Sequence, residues 1–360
     1  MKRSAGILMP IFALPSAHGI GTLGEPAFNF IDFLVEAGQS WWQILPLGPT
    51  GFGNSPYQCL SSWAGNPNLI DLPQLAQQGL FCKHELSACV YPKQPQGKID
   101  YQWLRQNKTS RLNQAAQRLW NTEKVEIQRF IDAHPQVQTY AIYAAIKLDQ
   151  QEKPWFQWND ADLQAYKPKA VTQAIGRLEQ EIQVQYTIQY LFFQQWQQLH
   201  QYAQKKGIGI IGDLPIYTAH DSADVWSERD MFWLDEKNQP TCFAGVGPDQ
   251  FSATGQFWGN PLYRWAKMKE NGYRWWIERI RGQIDLVDAL RLDHFRGFAD
   301  YWCIPNTAEN AADGYWEAGP GLDFVTRIKE WFSGTVFIAE DLGFFPKQQK
   351  ICWLILAFLA

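Results

Sequence analysis

The sequence predicts an α/β fold built on a parallel sheet, and three observations support this prediction. Short apolar runs, which are typical of buried parallel strands, recur along the chain. Near the N-terminus, two such runs flank a helical pattern over residues 28–37 that Gly38 ends, which gives a strand–helix–strand unit. Two runs end in a carboxylate, Asp293 and Glu340, at the position where active sites of such folds lie. With 360 residues and 46% hydrophobic content, the chain can form one barrel-type domain with an insertion, or two domains.

Five apolar runs are the candidate strands: 7–11, 42–45, 208–211, 286–292 and 336–339. The interval between the second and the third candidate strand is too long for one crossover. We therefore predict a mostly helical inserted subdomain at residues 59–200. Its last helix is the clearest in the sequence and ends at Gly207. We interpret this helix as a packing element without chemistry. Its apolar face comprises Leu178, Ile182, Tyr186, Tyr190 and Phe193.

Composition and charge exclude several classes of partner. The 32 basic and 36 acidic residues are well mixed and give a formal charge of −4, so neither a nucleic-acid-binding stripe nor a basic membrane-binding helix is expected. The segment Gly19 to Gly24 has the spacing of a dinucleotide fingerprint. However, Pro15 and Ser16 separate it from the preceding strand, and the next strand lacks the acidic residue that binds a ribose. A neutral substrate fits this sequence better.

The cysteines and histidines predict neither disulfides nor a metal site. The six cysteines are scattered without a Cys-x-x-Cys pair, and the N-terminal residues do not resemble a signal peptide. We therefore expect free thiols and a cytoplasmic protein. The six histidines lack the spacing of zinc ligands, and no residue pattern requires a metal or an organic cofactor.

The pair of strand-end carboxylates, Asp293 and Glu340, suggests glycosyl transfer. The chain also contains 18 Trp, 14 Tyr and 22 Phe, more than a core requires, and many of these rings lie beside Gly, Pro or Asp. Aromatic rings stack on sugar faces, and indole or phenol groups can bind sugar hydroxyls. These features alone leave three alternatives open: a glucan transferase, an α-glucan hydrolase and a non-catalytic glucan-binding protein.

Several separate motifs, in order, resemble those of amylomaltase, the 4-alpha-glucanotransferase of glycoside hydrolase family 77. The resemblance extends from about Gly6 to Gly343 and is carried by residues 42–50, 55–58, 64–67, 212–217, 221–226, 255–263, 291–297 and 339–343. It implies a TIM-type (β/α)8 barrel of the alpha-amylase clan, here incomplete with about five strands. It also implies transfer of α-1,4-glucan segments between maltooligosaccharides by a retaining double displacement.

The resemblance also implies roles for individual residues. Asp293 would be the nucleophile, which Arg291 keeps ionised, and Glu340 the acid and base. A retaining pair of carboxyl groups should lie about 5 to 5.5 Å apart. The remaining residues expected to bind substrate are Tyr57, Asp213, Asp249, Trp258, Arg291 and His294. Residues 244–252 would form, with Trp258, a mobile flap over the cleft.

The family pattern divides the chain into four parts. Residues 1–58 hold the first barrel strands, 59–200 the insertion, and 201–343 strands three to five with the flap and the catalytic residues. Residues 344–360 depart from the family pattern, and we interpret them as an aberrant tail that a frameshift could produce. An eight-stranded barrel left with about five strands has open edges, so we expect impaired activity from this chain.

Overall fold

A computed structural model of the chain describes residues 3–92, 98–250 and 252–340, so the predicted tail at 344–360 lies outside the described residues. The strands are β1 (Gly6–Leu8), β2 (Trp41–Gln43), β3 (Gly209–Leu214), β4 (Cys242–Val246), β5 (Gln256–Pro261), β6 (Ala289–Leu292), β7 (Asp300–Pro305), β8 (Tyr315–Ala318) and β9 (Val336–Ala339).

The five predicted strands form one parallel sheet in the order β1-β2-β3-β6-β9. One face of its centre is apolar, since Trp42, Ile210 and Leu290 share that face and are fully buried. Trp42 lies opposite Ile210, and Leu290 pairs with Gly212 on β3 and with Phe337 on β9. Over the described ranges the outer strands β1 and β9 do not pair with each other, so this sheet is open.

The helices are α1 (Glu25–Glu36), α2 (Leu72–Gln77), α3 (Lys83–Ser87), α4 (Tyr101–Leu104), α5 (Ser110–Ala133), α6 (Pro135–Asp149), α7 (Ala161–Gln164), α8 (Pro168–Arg177), α9 (Glu179–Lys205), α10 (Ala223–Ser227), α11 (Trp265–Glu270), α12 (Arg274–Ile284) and α13 (Gly321–Trp331). A π-helical turn, Arg105–Thr109, joins α4 to α5, and short 3-10 helices span Ile11–Ala13, Phe52–Asn54, Pro67–Leu69, Trp155–Gln157, Arg229–Met231, Phe295–Phe298 and Ala311–Asp313. No helix within the described ranges has the length and apolar character needed to cross a bilayer.

The long helix α9 connects the helical insertion to the sheet. Acidic residues occupy its first turn and Lys205 its last, which complements the helix dipole, and Gly207 follows with a φ of 76°. The helix packs against α5 and α6 of the insertion and also against α1 and β3. The boundary predicted at residue 200 therefore falls inside one continuous helix.

Two buried glutamines on α9 hold the loop that follows β2. The Gln189 side chain accepts a hydrogen bond from the Gly65 N–H at 2.8 Å and donates one to the Gly65 carbonyl at 3.0 Å. Gln195 pairs in the same way with the backbone of Asp71, at 2.7 and 3.0 Å. Residue 65 must be glycine for this close approach, because a Cβ there would lie 1.9 Å from the ring of Phe192.

A second sheet was not predicted from the sequence. Strands β4, β5, β7 and β8 form an antiparallel sheet in the order β5-β4-β7-β8. Strands β4, β5 and β7 contain Gly or Pro and lack a clear apolar alternation, so the usual strand pattern is weak. The segment predicted as a flap, 244–252, thus begins within β4 and continues into the connection between β4 and β5.

Candidate active site

The carboxyl ends of β3, β6 and β9 bring together three acidic residues. Asp213 lies on β3 opposite Arg291 on β6, while Asp293 and Glu340 each follow a strand by one residue. The Asp293 N–H donates to the Leu214 carbonyl at 3.0 Å, and the Glu340 N–H donates to the Leu292 carbonyl at 3.2 Å. These bonds extend the ladder past the strand ends and fix both residues at one edge of the sheet.

One guanidinium group contacts all three carboxylates. The Nη1 atom of Arg291 lies 2.5 Å from Asp213 Oδ1 and 3.1 Å from Asp293 Oδ1, and its Nη2 atom lies 2.6 Å from Glu340 Oε1. The Arg291 side chain is 17% exposed and that of Asp213 is fully buried. A single cation therefore partly neutralises three acids in a poorly hydrated site.

This arrangement raises the pKa of Asp293 to about 7. Burial is the largest cause, the charges of Asp213 and Glu340 add to it, and the opposing effect of Arg291 is smaller. Arg291 does lower the pKa of Asp293, as expected, but this effect is outweighed by burial and the two neighbouring acids.

His294 connects the acid cluster to the aromatic wall of the cleft. Its backbone is left-handed (φ 44°, ψ 49°), and its N–H donates to Glu340 Oε2 at 2.6 Å. Its ring packs edge to face on Trp258, with centroids 4.9 Å apart. Burial lowers the pKa of His294 to about 4, so the imidazole is neutral near pH 7.

Tyr57 and Asp213 form the opposite side of the cluster. The Tyr57 hydroxyl donates to Asp213 Oδ2 at 2.6 Å, and burial raises the pKa of both groups. The hydroxyl of Tyr57 is thus committed to Asp213, while its ring lines the cleft. Through Arg291, this pair is linked to Asp293.

A cleft of about 430 Å³ opens at the cluster. Its walls comprise Ser55, Tyr57, Gln58, Pro215, Ile216, Tyr217, Phe257, Trp258, Asn260 and Asp293. Analysis of the sequence assigned a role to only three of these residues, Tyr57, Trp258 and Asp293. Among those it missed are Gln58 and Asn260, whose side chains bond to each other at 2.9 Å. Both stand in the motifs that suggested Tyr57 and Trp258, beside an aromatic residue, and that adjacency was the available signal.

Of the predicted site residues, Tyr57, Trp258 and Asp293 line this cleft. Asp213, Arg291, His294 and Glu340 are linked to them by the contacts described above. The remaining predicted residue is Asp249. It is exposed between β4 and β5, where its Oδ1 accepts a hydrogen bond from the Ser252 N–H at 2.8 Å. Its role in substrate binding stays a prediction. Across the described part of the chain, no group of three or more His, Cys, Asp or Glu residues has a metal-binding arrangement.

Comparison with known proteins decides the family. The sequence pattern of the 4-alpha-glucanotransferases of glycoside hydrolase family 77 matches residues 9–352. The 4-alpha-glucanotransferase of Streptococcus pneumoniae is 42% identical over 349 residues, which cover 96% of this chain and 69% of the relative. The chain belongs to the 4-alpha-glucanotransferase family. A second 4-alpha-glucanotransferase, from Aquifex aeolicus, is 41% identical over 351 residues, 97% of this chain and 70% of that protein.

Solved structures show that the fold is similar to that of amylomaltases. An amylomaltase from Streptococcus agalactiae, solved in complex with acarbose, has a TM-score of 0.95 and 38% identity, covering 99% of this chain and 72% of that one. The amylomaltase of Corynebacterium glutamicum shares the fold at a TM-score of 0.75, with 17% identity and coverage of 98% of this chain and 49% of that one. The predicted fold class, a TIM-type α/β fold represented here by five parallel strands, is confirmed.

Proposed function

We propose that this chain transfers α-1,4-glucan segments between maltooligosaccharides by a retaining double displacement. The observation that carries the proposal is the contact of Asp213, Asp293 and Glu340 with the single guanidinium of Arg291 at the mouth of the sheet. A pair of carboxyl groups that flank a glucan linkage, beside a cleft with aromatic walls, is the arrangement that glycosyl transfer needs.

In the first step, Asp293 attacks the anomeric carbon while Glu340 donates a proton to the departing glycosidic oxygen. The bond from carbon to that oxygen breaks and a covalent β-glucosyl ester forms. The reaction requires that Asp293 is ionised when it attacks and that Glu340 carries the proton it donates. Arg291, whose Nη1 atom lies 3.1 Å from Asp293 Oδ1, favours the ionised form of Asp293.

In the second step, Glu340 accepts the proton of the acceptor 4-hydroxyl, whose oxygen displaces Asp293 from the anomeric carbon. Two inversions restore the α configuration. Asp213 and Tyr57 would bind hydroxyls and one face of the reacting sugar, and Trp258 and His294 would form the adjacent wall. Asp249, on the flap hairpin, would contact substrate when this segment closes.

Water is the competing acceptor, which is why hydrolysis was the alternative considered from the sequence. An enclosed cleft that orients a sugar hydroxyl gives that hydroxyl the advantage through proximity. No observation favours hydrolysis over transfer. We also place the reaction in the cytoplasm, since the five cysteines of the described ranges, Cys59, Cys82, Cys89, Cys242 and Cys303, are unpaired.

The products formed from maltotriose test this proposal. A transferase yields glucose together with longer maltodextrins, whereas a hydrolase yields glucose and maltose without longer products. Glu340→Gln and Asp293→Asn should each abolish transfer, and Glu36→Gln, which changes an exposed carboxylate at the end of α1, should not. A glucan-binding protein without catalysis would produce no change in maltotriose at any enzyme concentration.

A further inference from the structure

A groove outside the catalytic cleft has the chemistry of a sugar-binding site. It has a volume of about 600 Å³, lies where the α5–α6 junction, α9 and α12 meet, and shares no residue with the cleft at Asp293. Its volume is within the range of small-molecule sites, roughly 300 to 1,000 Å³. None of the residues assigned to the active site lines this groove.

One wall of the groove is a continuous aromatic surface. The Phe130 ring lies 4.4 Å from the His134 ring, 5.8 Å from that of Tyr190 and 5.3 Å from that of Phe193, measured between centroids. All four side chains are half-buried, so each ring is packed on one side and open to the groove on another. Half-exposed rings arranged in this way suit the apolar faces of a pyranose chain.

The rest of the lining includes amide groups and one paired carboxylate. Gln194 and Gln197 on α9 each supply an amide, and Gln136 Nε2 on α6 reaches Glu278 Oε2 on α12 at 3.3 Å. Glu278 is also paired with Arg274 at 2.8 Å, which reduces its demand for a cationic ligand. Amide and carboxylate groups beside aromatic rings select a neutral, polyhydroxylated ligand.

We propose that this groove is a secondary binding site for an α-1,4-glucan chain. The choice of glucan as occupant rests on the proposed function, because the enzyme acts on long polymers of neutral glucose. A polymer held here by one segment would keep its other segments at a high effective concentration near the cleft. The groove would therefore matter for long glucans and not for maltotriose.

The test separates glucan binding from turnover. In an Asp293→Asn background, Gln197→Trp places an indole across the groove, and Gln201→Trp makes the same change one turn further along α9, outside the groove. Retardation by glycogen in native gels should fall at least about twofold with Gln197→Trp and stay unchanged with Gln201→Trp. Arg281→Ala, a second exposed groove position on α12, should also weaken retardation.

Turnover by chains that retain Asp293 provides the second measurement. Gln197→Trp should leave the kcat/KM for maltotriose within about twofold and raise the KM for amylose severalfold. Equal retardation of the Gln197→Trp and Gln201→Trp proteins, or equal effects on both substrates, would overturn the inference. If maltotriose is not converted at all, the proposed function fails, while the gel comparison still decides whether the groove binds glucan.

Discussion

Replacement of Arg291 by lysine examines how the acid cluster works. Arginine makes contacts from two nitrogen atoms, to Asp213 and Asp293 through Nη1 and to Glu340 through Nη2. A lysine ammonium keeps the positive charge but cannot present two nitrogen atoms in a fork. At least one charge-assisted contact, worth roughly 1.5 to 3 kcal/mol, would be lost.

If this contact acts in the transition state, Arg291→Lys should lower kcat/KM about 10- to 150-fold, since each 1.36 kcal/mol is a factor of about ten. The assay is the initial rate of glucose release from maltotriose, followed by a pH profile from about 5 to 8. Activity that needs ionised Asp293 rises with pH through its pKa of about 7. Because lysine contacts the carboxylates less closely than arginine, the pKa of Asp293 should increase and this rise should move to higher pH.

The matched control is Arg327→Lys, which alters an exposed ion pair with Glu330 at 3.0 Å. It should change kcat/KM less than about twofold, because exposed ion pairs contribute little. Thermal unfolding of both variants shows whether Arg291→Lys acts through stability. A kcat/KM for a folded Arg291→Lys protein within threefold of the parent, with an unchanged pH profile, would refute the assigned role of the guanidinium.

Three further predictions concern single contacts. Tyr57→Phe removes the donor to buried Asp213 and should lower kcat/KM roughly tenfold or more, with little change in melting temperature; an unchanged rate would contradict the role of this hydroxyl. Burial raises the pKa of Asp224 to about 7 from an unfolded value near 4, so its contribution to stability is lost as the pH rises from 4 through 7. Asp224→Asn should therefore reduce the fall in melting temperature between pH 5 and 8, and parallel curves would exclude this assignment. Gly65→Ala forces a Cβ into the neighbouring ring and should destabilise the protein by about 1 to 3 kcal/mol, whereas Gly176→Ala, in open space on α8, should stabilise it by roughly 0.5 to 1 kcal/mol in urea unfolding.

Local sequence patterns predicted much of the parallel sheet and its acidic edge. Runs of buried residues identified all five strands, and the positions of Asp293 and Glu340 after two of these runs placed both at the same edge. The order of the strands alone brings these two carboxylates to one edge, because the carboxyl ends of neighbouring parallel strands lie side by side. The pKa of Asp293 could not be predicted in this way, since it depends on how three strands share one cation.

The second sheet and parts of the cleft depend on contacts between distant segments. Strand β4 pairs with β7 across a gap of more than fifty residues, and no local alternation signals that pairing. The bond between Gln58 and Asn260 joins positions 202 residues apart. A sequence pattern identifies such residues as members of a motif but does not show which of them meet.

The length of α9 has a consequence for how the molecule unfolds. Its 27 residues would span about 40 Å as a regular helix, long enough to belong to the insertion at one end and to the sheet layer at the other. Because melting either half would break hydrogen bonds in the same helix, the two regions should lose structure in a single cooperative transition. A protease that cuts near residue 200 would therefore release no stable fragment.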